Sequence, residues 1–70
     1  MVMFRPDQLV RVEEEGELYG ANGIVRLVET DGSAWVEITN KGSKYSLDKI
    51  NGYTVRGKCV LLWPEGCKPL

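Results

Sequence analysis

The stretch Gly20-Ala21-Asn22-Gly23-Ile24-Val25 decides the fold. Ahead of it, Val10-Arg11-Val12 alternates apolar and charged residues, the period-two pattern of a half-buried strand. Behind it the apolar run continues through Leu27-Val28 and then meets Asp31-Gly32. Aspartate followed by glycine between two strand patterns signals a hairpin, because a two-residue type I′ turn needs positive φ at both central positions. A strand, a glycine-punctuated loop and a hairpin in this order predict an all-β chain curled into a small barrel.

Working outward, residues 8–14 read as the first strand, and Glu13-Glu14-Glu15-Gly16-Glu17 as a solvated loop. Leu18 and Tyr19 are expected to fold back over an open end. Residues 23–30 form a second strand whose uneven alternation calls for a bulge. Residues 33–39 form a third, with Ala34, Val36 and Ile38 inward and Trp35 and Glu37 outward. A turn at Asn40-Lys41-Gly42 leads to a short fourth strand over 43–46. Leu47-Asp48-Lys49-Ile50 is too short for an α-helix and fits one 3₁₀ turn, with Leu47 and Ile50 facing the core. Residues 53–56 make a fifth strand, Gly57 a kink or bulge, and residues 58–63 a sixth extended stretch that Pro64 stops. The expectation is one domain over 1–70: five to six strands, one 3₁₀ turn, an ordered core over 5–63, and a tail over 64–70 whose last four residues are loose.

Seventy residues bury only about 60% of their unfolded surface, so the core is thin and no cofactor-sized cavity fits inside it. No cofactor and no metal are expected, and any ligand would lie on the outer face or between loops. No apolar run approaches the roughly 20 residues of a membrane-spanning helix. Met1 to Pro6 does not read as a signal peptide, and the expected location is cytoplasmic. Cys59 and Cys67, without any histidine, do not complete a four-ligand zinc site. They form either a disulfide closing a short loop or a small core residue (Cys59) and a tail thiol (Cys67). The net charge of −1 conceals an asymmetry: residues 1–37 hold three basic against eight acidic side chains, net −5, and residues 38–70 hold six against two, net +4.

The order of elements is that of SH3-like barrels. Within them, Val10-Arg11-Val12 followed by Gly20-x-x-Gly23-x-Val25 resembles the KOW motif, and Leu47-Asp48-Lys49-Ile50 resembles the turn before the last strand of many such barrels. The resemblance covers about residues 8–56. KOW loops are usually basic, whereas this one carries Glu13, Glu14, Glu15 and Glu17. The resemblance implies a binding module of the kind found in ribosomal proteins, elongation factors or accessory subunits of larger complexes.

Without histidine, neither a Ser-His-Asp nor a Cys-His arrangement exists, and the loop carboxylates are too solvated to be good general acids. A non-catalytic module follows as the expectation. Trp35, Lys44, Tyr45 and Arg56 form the expected contact face for a protein or ribonucleoprotein partner, with Trp35 an exposed anchor unless the long loop covers it through Leu18 or Tyr19. Glu13, Glu14, Glu15 and Glu17 would orient that partner by charge, or simply keep the loop solvated. The alternative is RNA or DNA binding, with Lys41, Lys49, Tyr53 and Lys58 added to the basic and aromatic set; an acidic pI of about 5.3 weighs against it. A small accessory subunit of an enzyme complex is the third reading. The run Val60-Leu61-Leu62-Trp63 is apolar on both strand faces, which suggests a homodimer through Val60, Leu62 and Trp63.

Overall fold

The computed structural model describes residues 3–39, 50 and 52–70. Among the described residues six antiparallel strands form one sheet: β1 (Leu9–Val12), β2 (Asn22–Val28), β3 (Ala34–Ile38), β4 (Val55–Arg56), β5 (Cys59–Leu62) and β6 (Cys67–Pro69), in the spatial order β4-β5-β3-β2-β1-β6. The chain is all-β, as expected. Among the described residues the sheet is not closed: β4 and β6 end the strand order and share no ladder, so the finer expectation of a barrel is not confirmed. The expected strand at 43–46 and all of the expected 3₁₀ turn except Ile50 lie outside the described residues. The 3₁₀ turn that is described is Pro64–Gly66, which begins with proline, a residue suited to a first helical position. Among the described residues no helix is long and apolar enough to cross a membrane.

Alternation builds the core. Val10 and Val12 of β1, Val25 of β2, Ala34, Val36 and Ile38 of β3, and Val60 and Leu62 of β5 are all buried, joined by Phe4, Leu18, Ala21 and Cys67. Val28, Ile50 and Tyr53 pack against this cluster while half-buried. Phe4 reaches it because Arg5-Pro6-Asp7-Gln8 reverses the chain. Gln8 N–H donates to the Arg5 carbonyl (3.1 Å), Pro6 supplies its fixed φ, and Asp7 takes φ 65°, as position i+2 of a type II turn requires.

The expected bulge is present. Val25 pairs with Val36, but the next partner of β3's Trp35 is Leu27, so Arg26 is the extra residue. Both Arg26 and Leu27 are therefore exposed on the outer side. The hairpin at Asp31-Gly32 differs from the expected two-residue turn. Glu29 N–H donates to Ser33 C=O (2.8 Å) and Gly32 N–H to Glu29 C=O (3.1 Å), leaving a three-residue loop in which only Gly32 has positive φ (94°). This is the type I turn plus left-handed glycine that three-residue hairpins use. Gly57 is not a kink within a strand. With Arg56 paired to Cys59, Gly57-Lys58 is a two-residue turn, and positive φ at Gly57 alone (59°) is the type II′ pattern.

The C-terminal segment is not loose. Cys67, Lys68 and Pro69 pair with Val12, Arg11 and Val10, and Leu70 N–H donates to Leu9 C=O (2.9 Å). Proline is tolerated there because β6 is an edge. Both cysteines are unpaired, and their expected roles are exchanged: Cys67 is buried in the core and Cys59 is half-buried on the outer side of β5. The expected dimer patch of Val60, Leu62 and Trp63 is not exposed as a unit. Val60 and Leu62 face this chain's own core and are not available to a second copy, leaving Trp63 exposed.

Candidate binding site

The register places two rows of side chains on the outer face of the sheet. Leu9, Ile24, Glu37, Cys59 and Arg56 are successive partners across five strands, and beside them run Leu27, Trp35 and Leu61. Leu9 is 50% and Leu27 54% exposed. Trp35 points outward as its alternation predicts, yet it is only 8% exposed, which corrects its expected role as an exposed anchor. Leu18 is not its cover, since Leu18 lies in the core cluster from which Trp35 is absent. Instead the Arg56 guanidinium sits 4.5 Å from the centre of the indole ring, and the indole N–H donates to Glu29 Oε1 at 3.0 Å. The ring lies between a cation on its face and a carboxylate at its edge, the arrangement its charge distribution favours. Arg26 bridges the same face by donating Nε–H to Glu37 Oε1 (3.1 Å), with Asp7 at 3.7 Å from its Nη1.

Of the expected contact residues, the structure joins Trp35 and Arg56. Lys44 and Tyr45 lie outside the described residues, as do Lys41 and Lys49 from the nucleic-acid set. Lys58 is exposed in the β4–β5 turn. Tyr53 is half-buried against the core, and its hydroxyl meets Gly16, where a Cβ would come within 2.5 Å of it.

The glutamate loop divides. Glu13 is half-buried and faces Arg11 (3.7 Å) and Lys68 (3.6 Å). Glu14, Glu15 and Glu17 are exposed, without a basic partner among the described residues. Leu18 covers the core as expected, but Tyr19 is exposed. The loop is anchored, because the Gly66 carbonyl accepts from both Glu13 N–H (2.8 Å) and Glu14 N–H (3.1 Å). Beside the anchored loop is a cleft of about 300 Å³ whose described lining is Glu14-Glu15-Gly16, Gly52-Tyr53-Thr54 and Leu61-Leu62-Trp63. Trp63, 46% exposed, also lines a second groove of about 290 Å³ with Met3, Phe4, Val28 and Pro64.

Among the described residues two titrating groups are displaced. Burial, and then the negative charge of Glu14, push the Cys67 thiol up to about 11, so it is a neutral packing group at neutral pH. The Asp31 carboxylate, accepting from the Ser33 hydroxyl and then from its backbone N–H, is held below its ordinary value. Sequence reasoning missed Glu29 and Leu27 as parts of the outer face and Trp63 as part of a cleft. The bulge was the available signal for Leu27, because an inserted residue changes which side chains face out. No protein-family model, curated protein or solved structure matches this chain.

Proposed function

We propose that this chain is a non-catalytic docking module for a protein partner, using the outer face of the sheet. The observation that carries the reading is the Arg56–Trp35 stack set among Leu9, Ile24, Leu27 and Leu61. A folded chain this small gains nothing for its own core from apolar side chains on the far side of the sheet. Such a surface, in which the Arg26–Glu37 pair and Glu29 are interleaved with apolar and aromatic side chains, carries the aromatic and arginine residues that interfaces enrich. Arg56 also keeps the indole pre-arranged, so little side-chain freedom is lost when a partner covers it.

The test compares the wild-type chain with Leu27→Lys and Arg56→Ala as immobilised baits, with thermal melts confirming that each variant is folded. Capture of a defined protein by the wild type, reduced tenfold or more by Leu27→Lys, supports the reading. An unchanged partner set refutes it. Salt-sensitive binding of single-stranded RNA that is indifferent to Leu27→Lys would assign the chain to nucleic acid instead.

A further inference from the structure

The cleft beside the glutamate loop carries a more specific chemistry than the outer face. Among the described residues its apolar part is Leu61, with the buried Leu62 behind it, its aromatic part Tyr53 and Trp63, and its rim Glu14 and Glu15. At about 300 Å³ it lies at the small end of ligand sites, sized for one long side chain. Among the described residues the nearby cations, Arg11 and Lys68, are both engaged with Glu13. Glu14 and Glu15, which line the cleft, have no basic partner within that set. Among the described residues the ion pairs thus fall on the glutamate outside the cleft and not on the two that border it.

We propose that this cleft receives an arginine side chain from a partner protein. A guanidinium is planar, stacks on an aromatic face and offers parallel N–H donors to carboxylates, while its three methylenes cover apolar surface. Tyr53 and Trp63 supply aromatic faces, the half-buried Leu61 takes the stem, and Glu14 and Glu15 accept from the fork. The site is pre-formed: Gly66 ties down the loop through Glu13 and Glu14, and Gly16 leaves the space that the Tyr53 hydroxyl occupies. Gly16 has φ 150° as well, a conformation that side-chain-bearing residues seldom adopt. This assignment rests on the docking-module reading and uses a surface that adjoins the one proposed above, with Leu61 common to both.

The experiment titrates the intact chain with the capped peptide Ala-Arg-Ala-Arg-Ala and with the same peptide carrying citrulline, the neutral isostere, at both arginine positions. Backbone amide and indole N–H shifts are followed by NMR. The expected result is saturable shifts at Gly16, Gly52, Thr54 and the Trp63 indole, an affinity for the citrulline peptide about tenfold lower or worse, and progressive weakening with salt. Glu14→Gln combined with Glu15→Gln loses about tenfold, and Trp63→Ala loses the indole contact; all three side chains are exposed, so these variants fold. Equal binding of the two peptides, shifts centred on Leu27 and the Trp35 indole, or no shifts at millimolar peptide each overturn the assignment. Failure here, with partner capture still abolished by Leu27→Lys, removes the cleft alone. A bound arginine peptide with capture indifferent to Leu27→Lys removes the outer-face reading alone.

Discussion

Replacing Gly23 by alanine sets two effects of opposite sign against each other. Glycine inside a strand costs about 0.5–1 kcal/mol relative to alanine, through the entropy of the unfolded chain, so propensity alone predicts stabilisation. The structure predicts the reverse. A Cβ on Gly23 would lie 2.5 Å from Val36 Cγ1 and 2.8 Å from the Glu37 carbonyl oxygen on the paired strand β3. Both distances are well inside van der Waals contact. Val36 is wholly buried and the Glu37 oxygen is backbone, so neither moves freely. Forcing a methyl into such a site costs about 1–3 kcal/mol or slightly more where backbone must shift. After the propensity gain is subtracted, a loss of about 1–2 kcal/mol remains. For a domain of this size that lowers the melting temperature by about 5–15 °C. The effect is large beside a total stability on the order of 4–10 kcal/mol. The assay is thermal and urea unfolding of Gly23→Ala, Val36→Ala and the double variant. Val36→Ala alone costs about 2 kcal/mol by removing buried methyls. In its background Gly23→Ala costs less, because the nearer of the two contacts is gone, but it retains a cost because the Glu37 carbonyl remains. A coupling of about 0.5–1 kcal/mol is therefore expected. A rise in melting temperature for Gly23→Ala, or full additivity with Val36→Ala, refutes the close approach of β2 and β3 at this point.

Cys67, with its thiol raised to about 11, binds its proton more tightly folded than unfolded, where the value is near 9. Stability is therefore untouched below pH 9 and falls as pH rises from 9 towards 11, by on the order of 1–2 kcal/mol; urea midpoints across that range, absent the fall in Cys67→Ala, check it. A thiol reagent at pH 8 is expected to label Cys59 faster than Cys67, and equal rates would refute the burial of Cys67. Asp31 has the opposite sign: its folded value is lowered, so its contribution is present above the ordinary value of 3.8 and is lost as pH falls through and below it. Asp31→Ala accordingly flattens the acid limb of the stability profile, and an unchanged limb refutes the role of the Ser33 hydrogen bonds. Arg56→Ala uncovers the Trp35 ring and costs about 0.5–1 kcal/mol. In a Trp63→Phe background, where Trp35 is the sole tryptophan, the substitution also shifts indole emission to the red, and an unshifted spectrum refutes the stack.

Most of the sheet was legible because it rests on period two. Val10, Val12, Ala34, Val36 and Ile38 face the core as their spacing requires, and the bulge announced itself in the broken alternation from Ile24 to Val28. Local turn chemistry was less legible. Asp31-Gly32 does occupy a hairpin, but the loop length is set by which residues close the ladder, here Glu29 and Ser33, and that depends on the bulge upstream. The C-terminal strand was illegible for another reason. Cys67-Lys68-Pro69 has no strand periodicity of its own and is a strand only because β1 offers it an unpaired edge, with Gly66 turned back by the preceding 3₁₀ turn. Non-local pairing overrides local propensity at such edges.

Trp35 and Glu14 show why the site was harder to read than the fold. Alternation reports the side of a sheet on which a side chain lies, and Trp35 does lie on the outer side. Exposure is a separate quantity, decided by what lies over that side. Arg56 is 21 residues away and reaches the indole only because β4 folds onto β5 through the Gly57 turn and β5 lies beside β3. A cation and an aromatic ring that seemed to be two free contacts are one stacked unit, which offers a partner less ring surface and a more fixed geometry. The glutamate loop follows the same logic in reverse. Four acids in five residues read as a uniform solvated charge, yet the return of β6 beside β1 brings Lys68 to Glu13 and leaves Glu14 and Glu15 facing an aromatic cleft. Charge in the sequence is therefore a poor guide to charge available for binding. What remains available is what the fold's own cations fail to reach, and among the described residues that remainder sits beside Tyr53 and Trp63.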